Sequence, residues 1–187
     1  MGRTAVISGL PGVGASTVCE NARRELGSEY TLVNVGDLML GLALEHGLAD
    51  SRELLTKLPL RDQQTLQRRA SEHVQRMADE GPLLVNTHLA VETAYGIVPG
   101  MNKTTLEDVD PSVLVVVDAP DEAIQERREE SQRSYDQHRM DIEFHRQLQN
   151  AAAFEYSFHT GAPVQHVYND DAEEASERLA AIVDALL

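Results

Sequence analysis

Five short apolar runs, separated by segments of helical periodicity, restrict the fold of this 187-residue chain more than any other feature. Several runs are continuous and β-branched, as in strands that are covered on both faces. The segments between them carry apolar residues at spacings of three and four. This alternation predicts an α/β fold with a five-stranded parallel sheet and helices on both faces. The predicted strands are TAVIS (4–8), YTLVNV (30–35), PLLVN (82–86), SVLVVVDA (112–119) and VQHVYN (164–169).

The clearest helical patterns cover residues 16–27, 60–79 and 171–187. Two other segments fit the alternation less well. Residues 37–60 are too long for a simple connection, and we predict that Asp37 is a helix N-cap there. Residues 89–111 contain prolines and glycines and are expected to form an ordered excursion outside the sheet.

The turn after the first strand has the spacing of a phosphate-binding loop, which is Gly, four residues, Gly, Lys, and Ser or Thr. Gly9 and Gly14 are in place, but Ala15 stands at the lysine position. Glycines let the backbone N–H groups point inward, and the helix that follows adds a partial positive charge. The loop is therefore predicted to bind nucleotide phosphates. The predicted binding residues are Gly9, Leu10, Pro11, Gly12, Val13, Gly14, Ala15, Ser16 and Thr17.

Ala15 removes one mobile cation from the outer phosphates. The lost contact costs about 1.5–3 kcal/mol of binding free energy, which an arginine elsewhere in the chain can offset. The hydroxyl of Ser16 or Thr17 can reach a Mg²⁺ ion, and Ser16 is the predicted metal ligand. The alternative interpretation is a glycine-rich turn that binds no ligand.

The charge of the chain restricts its partners. Its 31 acidic and 16 basic residues give a net charge of −15, which argues against a nucleic-acid backbone as the main partner. The basic residues include only two lysines. Such a composition is typical of proteins from salt-loving archaea, where salt screens the self-repulsion, and an ordinary acidic protein is the alternative.

The cellular location of the protein is constrained by the targeting and membrane-spanning segments that its sequence lacks. No apolar stretch is long enough to span a membrane, and the first residues lack a secretory signal. The single cysteine, Cys19, is predicted to fill the core, so a cytoplasmic location is expected.

Further motifs follow the loop along almost the whole chain. They are Val33-Asn34-Val35-Gly36-Asp37 with Met39, Asn86-Thr87-His88, Gly96 with Pro99-Gly100, Asp110-Pro111, and Ala151-Ala152-Ala153 with Tyr156 and Thr160-Gly161-Ala162. With the proline and the Val-Gly close of the loop, this set resembles the archaeal adenylate kinases, which are P-loop nucleoside-monophosphate kinases.

The resemblance implies a P-loop kinase domain over residues 1–187 that transfers a phosphoryl group between Mg·ATP and AMP to give two ADP. It implies an AMP-binding segment at about 37–60 and a lid at about 127–145. ATP and Mg²⁺ are the implied cofactors. A homotrimer is the implied assembly, with no nucleic acid or membrane as partner.

The resemblance also implies roles for single residues. Arg127 and Arg133 match lid arginines and, with His88, are the predicted catalytic residues. His88 would contact a phosphate or shape the turn that it closes. Arg52 and Asp37 are predicted nucleotide-binding residues, with Arg52 on the AMP side.

Several basic residues of the family pattern are missing. Ala15, Thr56, Tyr135 and Asn150 stand where Lys or Arg is expected, and Glu92 where a basic residue is frequent. A neutral side chain does not replace a guanidinium aimed at a phosphate. Asn86 stands where an Asp is expected, which weakens the support of the magnesium, although Asp37 and Asp118 could compensate.

Three hypotheses are therefore open. The chain is an adenylate kinase whose arginine set has drifted, a kinase of another nucleoside monophosphate or of low activity, or a non-catalytic nucleotide-binding or assembly protein.

Overall fold

All five predicted strands belong to one parallel sheet, and the bounds of the strands and of the three clearest predicted helices agree with the prediction to within one residue. The computed structural model describes residues 3–130 and 141–187. In chain order the elements are β1 (Thr4–Ser8), α1 (Ala15–Leu26), β2 (Thr31–Asn34), α2 (Val35–Glu45), α3 (Arg52–Lys57), α4 (Leu60–Glu80), β3 (Leu83–Thr87), β4 (Ala90–Thr93), β5 (Gly96–Pro99), α5 (Lys103–Val109), β6 (Val113–Asp118), α6 (Asp121–Glu130), α7 (Ile142–Thr160), β7 (Val164–Tyr168) and α8 (Ala172–Leu186).

The strand order of the sheet is β2-β3-β1-β6-β7, and every pair is parallel. The three inner strands β3, β1 and β6 are buried almost throughout, which explains why their sequences are continuously apolar. Because all five strands run in one direction, their carboxyl ends meet at a single edge of the sheet. The predicted fold class, an α/β fold with a five-stranded parallel sheet, is confirmed.

Helices cover both faces of the sheet. Helices α1 and α8 pack on one face, against Ile7 and Val117. Helices α2, α4, α5 and α7 pack on the other face, around Val6 and Val85. Alternate residues of one strand thus enter opposite layers of the core. Within residues 3–130 and 141–187, no helix has the length and apolar character needed to cross a bilayer.

Residues 89–111 lie outside the main sheet, as expected. Strands β4 and β5 form a two-stranded antiparallel hairpin, and α5 follows it. The buried Tyr156 of α7 binds this excursion, because its hydroxyl donates to Met101 O (2.7 Å) and accepts from Met101 N–H (3.2 Å). Burial raises the pKa of Tyr156, so the phenol stays protonated and keeps both contacts.

The predicted N-cap at Asp37 is wrong. Helix α2 begins at Val35, directly after β2, and its N-cap is Asn34, whose Oδ1 accepts from Asp37 N–H at 3.3 Å. Asn is as good a cap as Asp. Strand β2 therefore passes into α2 without a loop, and Asp37 lies in the first turn, where a carboxylate is favoured by the helix dipole.

The thiol of Cys19 lies in the core between α1 and the sheet and is fully buried. Burial raises its pKa to about 12, so the reactive thiolate is absent near neutral pH. We expect a chromogenic disulfide reagent to modify the native protein only as fast as it unfolds, and to modify the denatured protein at once. The release of the chromophore measures both rates, and rapid modification of the native protein would contradict this placement.

Candidate phosphate-binding site

A glycine or a polar residue stands at the carboxyl end of every strand of the sheet. Gly9 follows β1, Asn34 ends β2, Asn86 is next to last in β3, Asp118 ends β6, and Asn169 follows β7. In open α/β sheets, ligands bind outside this edge. The edge is therefore the candidate site.

The loop of residues 9–14 lies at the centre of this edge, between β1 and α1. Gly12 and Gly14 have φ angles of +101° and +83°, which residues with a Cβ rarely adopt. A Cβ on Gly14 would lie 2.5 Å from Asn169 Nδ2, and one on Gly9 would lie 2.6 Å from Val117 O. Conformation and close contact thus both require the glycines that define the sequence pattern.

Side chains from other parts of the chain bind the carbonyl oxygens of this loop. We call these side chains, His88, Arg127, Arg128 and Asn169, the carbonyl clamp. His88 Nδ1 bonds to Gly9 O (2.7 Å), and Arg128 Nε donates to Pro11 O (2.8 Å). Arg127 Nη1 donates to Gly12 O (3.3 Å) and Val13 O (3.1 Å), and Asn169 Nδ2 donates to Val13 O (2.6 Å). Across a trans peptide the next N–H points opposite to the carbonyl. The clamp therefore directs the N–H groups of Leu10, Gly12 and Gly14 to the other side of the loop.

The start of α1 also offers unused N–H groups. Among the described residues, no side chain caps α1 and no acidic residue lies in its first turn, and its N-cap residue is Gly14. A side chain caps each of α2, α3, α5, α7 and α8, and α4, which also lacks a side-chain cap, has the acidic Asp62 in its first turn. The first turn of a helix has N–H donors without an intrahelical acceptor and a partial positive charge. The loop and this turn together favour an anion.

Ser16 presents its hydroxyl beside these donors. Its Oγ accepts hydrogen bonds from Asn86 Nδ2 at 3.0 Å and from Asn34 Nδ2 at 3.4 Å. The two asparagines are register neighbours on the parallel strands β2 and β3, so their amides lie side by side. Ser16 is itself exposed, and a ligand on the loop can reach it.

Arg52 closes the site on the side of α2 and α3. Its Nη2 donates to Asp37 Oδ1 at 2.5 Å and to Asn34 Oδ1 at 3.2 Å. The guanidinium lies against Gly36, where a Cβ would come within 2.5 Å of Nη1. The Asp37 side chain is 65% exposed, and such a pair adds little stability. Its structural consequence is to fix the Asn34 carbonyl, which turns the Asn34 amide toward Ser16.

Asp118 is occupied by protein contacts. Its Oδ2 lies 2.7 Å from Arg146 Nε, and its Oδ1 accepts from Ala119 N–H at 2.8 Å. Arg146 also pairs with Asp121 (2.6 Å) and Glu143 (2.7 Å). These contacts raise the pKa of Arg146, and the hydrogen bond from Arg146 lowers that of Glu143. With both oxygens engaged, Asp118 is poorly placed to replace an Asp at position 86.

Helix α7 is attached to the sheet edge by the buried Gln149. Its Oε1 accepts from Ser8 Oγ (3.0 Å) and from the N–H groups of Leu89 (3.1 Å) and Ala90 (3.3 Å). Its Nε2 donates to Ala90 O at 2.6 Å. Ser8 immediately precedes the loop, so this network fixes where the loop begins.

Most predicted site residues converge on this edge. Residues 9–17, Asp37, Arg52, His88 and Arg127 all lie there, and the described contacts of His88 and Arg127 are to loop carbonyls. Arg133 and Tyr135 lie outside the described residues. Thr56 lies on α3, where its hydroxyl donates to Glu53 O at 2.9 Å.

Sequence reasoning assigned no role to five residues of the site. They are Asn34 as the partner of Ser16, Asn169 and Arg128 in the carbonyl clamp, Arg146 as the partner of Asp118, and Gln149 at the start of the loop. Asn34 and Asn169 could have been found from the rule that polar residues at the ends of parallel strands meet at one edge. Arg146 is far along the chain from Asp118 and carries no comparable signal.

The sheet order and the glycine loop between β1 and α1 define a P-loop protein of the kinase type. A family model described as an AAA domain matches residues 8–143. The fold is shared with a sugar kinase from Janibacter sp. (TM-score 0.52, 16% identity, 98% of this chain and 95% of that one) and with a putative kinase from Chloroflexus aurantiacus (TM-score 0.56, 14% identity, 98% and 97%).

Curated relatives of the chain are named adenylate kinase. The protein from Methanopyrus kandleri is 39% identical over the whole length of both chains. The protein from Methanothermobacter thermautotrophicus is 34% identical over 97% of this chain and 100% of its own, and that from Methanocaldococcus jannaschii is 37% identical over 90% and 91%. The chain belongs to the adenylate kinase family.

Replacement of Gly14 by Ala tests the loop geometry, and Gly161→Ala is its matched control. Gly161 has a φ of +76°, but a Cβ there meets nothing within 4 Å. We expect Gly161→Ala to lower the free energy of unfolding by about 1–2 kcal/mol, from backbone strain alone, with ATP affinity unchanged. Gly14→Ala adds the clash with Asn169 and should cost about 2–5 kcal/mol together with ATP binding. Denaturant unfolding and calorimetry measure the two effects, and equal behaviour of the variants would contradict the packed loop.

Proposed function

We propose that this chain catalyses phosphoryl transfer between Mg·ATP and AMP to give two ADP. Full-length similarity to archaeal adenylate kinases supports this activity. The observation that carries the proposal is the uncapped start of α1 beside a loop whose carbonyls are bound from behind. This arrangement favours a polyanion, and the triphosphate of ATP is the matching ligand.

The loop amides hold the donor phosphates. Phosphoryl transfer depends mainly on positioning and on stabilising charge around the transferred group. Residues 9–17 supply fixed donors for this, and the clamp residues His88, Arg127 and Arg128 act as positioning residues. In the absence of a lysine at position 15, these backbone dipoles carry most of the phosphate binding.

The oxygen ligands at the site fit a magnesium ion that arrives on the nucleotide. Mg²⁺ keeps several waters and binds through one or two carboxylates plus substrate phosphates. Asp37 is an exposed carboxylate at the edge, and its capping partner Asn34 contacts Ser16, so Asp37 is the candidate carboxylate. When bound, the metal neutralises charge on the phosphates.

The acceptor is proposed to lie on the side of α2 and α3, within about residues 37–60. Arg52 is the proposed AMP-binding cation there, and its guanidinium is only partly exposed because it is held by Asp37 and Asn34. Lys57 pairs with Glu53 at 2.5 Å. The lid is proposed to span about residues 127–145, with Arg127 at its base and Arg133 as its phosphate-directed arginine.

The assembly, location and salt conditions of the protein are also part of the proposal. Family resemblance supports a homotrimer and a cytoplasmic location. The net charge of −15, with only two lysines, supports a protein that works at high salt, where ions screen its self-repulsion.

A coupled assay of ADP formation tests the proposed reaction. Turnover should require ATP, AMP and Mg²⁺ together. A dinucleotide with two adenosines joined through a phosphate chain should bind far more tightly than ATP, because it joins two sites. Preference for another monophosphate would favour a diverged kinase. ATP binding without turnover, with the dinucleotide no tighter than ATP, would favour a non-catalytic nucleotide-binding protein.

Replacement of Ala15 by Lys tests how much affinity the missing cation costs. Ala15 is half-buried at the start of α1, where a lysine would reach the bound phosphates. We expect ATP to bind about tenfold to a hundredfold more tightly, since a charge-assisted contact contributes about 1.5–3 kcal/mol. Asn21→Lys adds the same charge further along α1 and should change the affinity by less than about threefold. Equal effects of the two variants, measured by calorimetry, would refute a specific role for position 15.

A further inference from the structure

Ser16 occupies the metal-ligand position of the loop pattern, but its hydroxyl is arranged for another task. We propose that the Ser16 hydroxyl donates a hydrogen bond to a phosphate oxygen of ATP and does not ligate Mg²⁺. Asn86 fixes this direction of the hydroxyl, which we call its polarity. The proposal rests on the proposed function, because it requires ATP on the loop. It concerns the direction of one hydroxyl, which the loop motif alone does not fix.

The bonding capacity of a hydroxyl group limits what Ser16 Oγ can bind. A serine oxygen has two lone pairs and one proton. Both lone pairs of Ser16 Oγ are engaged, by Asn86 Nδ2 at 3.0 Å and by Asn34 Nδ2 at 3.4 Å. Within the described part of the chain, no acceptor receives the Ser16 proton. A cation would have to displace an amide from the oxygen, whereas an anion can accept the proton with both amides in place.

The orientation of the Asn34 amide is fixed from its other end. Asn34 Oδ1 accepts from Asp37 N–H at 3.3 Å and from Arg52 Nη2 at 3.2 Å. A carbonyl oxygen, not an amide nitrogen, must face these two donors, so Nδ2 faces Ser16. Arg52 is in turn held by Asp37 at 2.5 Å. The polarity of Ser16 therefore depends on a chain of contacts that begins at the Arg52–Asp37 ion pair.

Asn86 completes the arrangement from β3. It is only 8% exposed and pairs in register with Asn34. A carboxylate at this position, which is isosteric with the amide, could only accept a hydrogen bond. It would accept a hydrogen bond from the Ser16 hydroxyl and leave a lone pair of Oγ directed outward, as a cation requires. Replacement of Asn by Asp at position 86 thus reverses the direction in which the Ser16 hydroxyl donates its hydrogen bond.

The consequence is a nucleotide site that depends little on the metal for binding. In this chain Mg²⁺ is carried mainly by the phosphates and its own waters, while Ser16 contacts the nucleotide directly. Asp118 does not restore a metal ligand, because Arg146 and Ala119 N–H occupy its oxygens. Asn86→Asp should convert the site to one in which Mg²⁺ and ATP bind cooperatively.

Calorimetric titration of ATP onto four proteins, each in Mg²⁺ and in EDTA, tests the proposal. They are the natural chain, Ser16→Ala, Asn86→Asp and the double variant. In the natural chain, Mg²⁺ should change ATP affinity by less than about threefold, and Ser16→Ala should weaken it by about tenfold in both buffers, since hydrogen bonds to charged groups contribute this much. Asn86→Asp should make ATP affinity depend on Mg²⁺ by at least about tenfold, and the double variant should lose that gain.

A second readout counts the waters on the metal. Water-proton relaxation of Mn²⁺ bound with ATP should show one ligand water fewer in Asn86→Asp than in the natural chain, because Ser16 then replaces a water. Thermal unfolding checks that the variants fold. If Asn86→Asp does not fold, Ser16→Ala alone decides between a donor, which weakens ATP in both buffers, and a metal ligand, which weakens it only in Mg²⁺.

Three results would overturn the inference: loss of ATP affinity in Ser16→Ala confined to Mg²⁺, no change of metal dependence in Asn86→Asp, or persistence of that change in the double variant. Each leaves the proposed function intact, because ATP still binds. Absence of ATP binding to the folded natural chain in either buffer would instead remove the proposed function, and this inference with it.

Discussion

The phosphate site depends on how the carbonyl oxygens of the glycine loop are held. A loop of this kind can bind an anion only if its carbonyl oxygens point away from the ligand. The loop backbone alone does not fix them in that orientation. His88, Arg127, Arg128 and Asn169 come from three different connections at the sheet edge and bind these oxygens from behind. Side chains at the edge of the parallel sheet thus set the geometry of the site, and the glycines of the loop allow the backbone to adopt it.

Phosphate binding through backbone amides suits a chain in which, within the described residues, arginines at the sheet edge are already engaged. Of the arginines near the edge, Arg52 is paired with Asp37, and Arg146 is surrounded by three carboxylates. In a chain of net charge −15, a mobile lysine would have many competing partners. Amide dipoles have none, because their direction is fixed by the backbone. High salt weakens interactions between exposed charges beyond a few ångströms but has much less effect on short hydrogen bonds, so amide binding agrees with the proposed high-salt setting.

The sequence predicted the sheet and the loop because both depend on local patterns. Continuous β-branched runs are readable as strands wherever they lie. Gly9 is required by its close approach to Val117 O, and Gly14 by its positive φ angle. The side-chain contacts were not predictable in the same way. Asp37 was expected to cap α2, but α2 begins at Val35, three residues earlier than a cap at Asp37 allows, so Asn34 caps the helix and also reaches Ser16. Such a shift changes few element bounds and yet reassigns several roles at the site.

A site built from fixed donors has a consequence for the reaction. Fixed donors raise kcat only where they are aimed at charge that develops in the transition state, since donors that bind the ground state equally well lower KM alone. A lysine side chain can follow the transferred group, whereas the amides of Gly12 and Gly14 cannot. Charge that moves with the transferred group must therefore come from a side chain, and the described contacts of Arg127 hold it on the loop carbonyls. On the proposed assignment, Arg133 supplies that charge, so the chain would divide its work between a rigid loop that binds and a lid that catalyses.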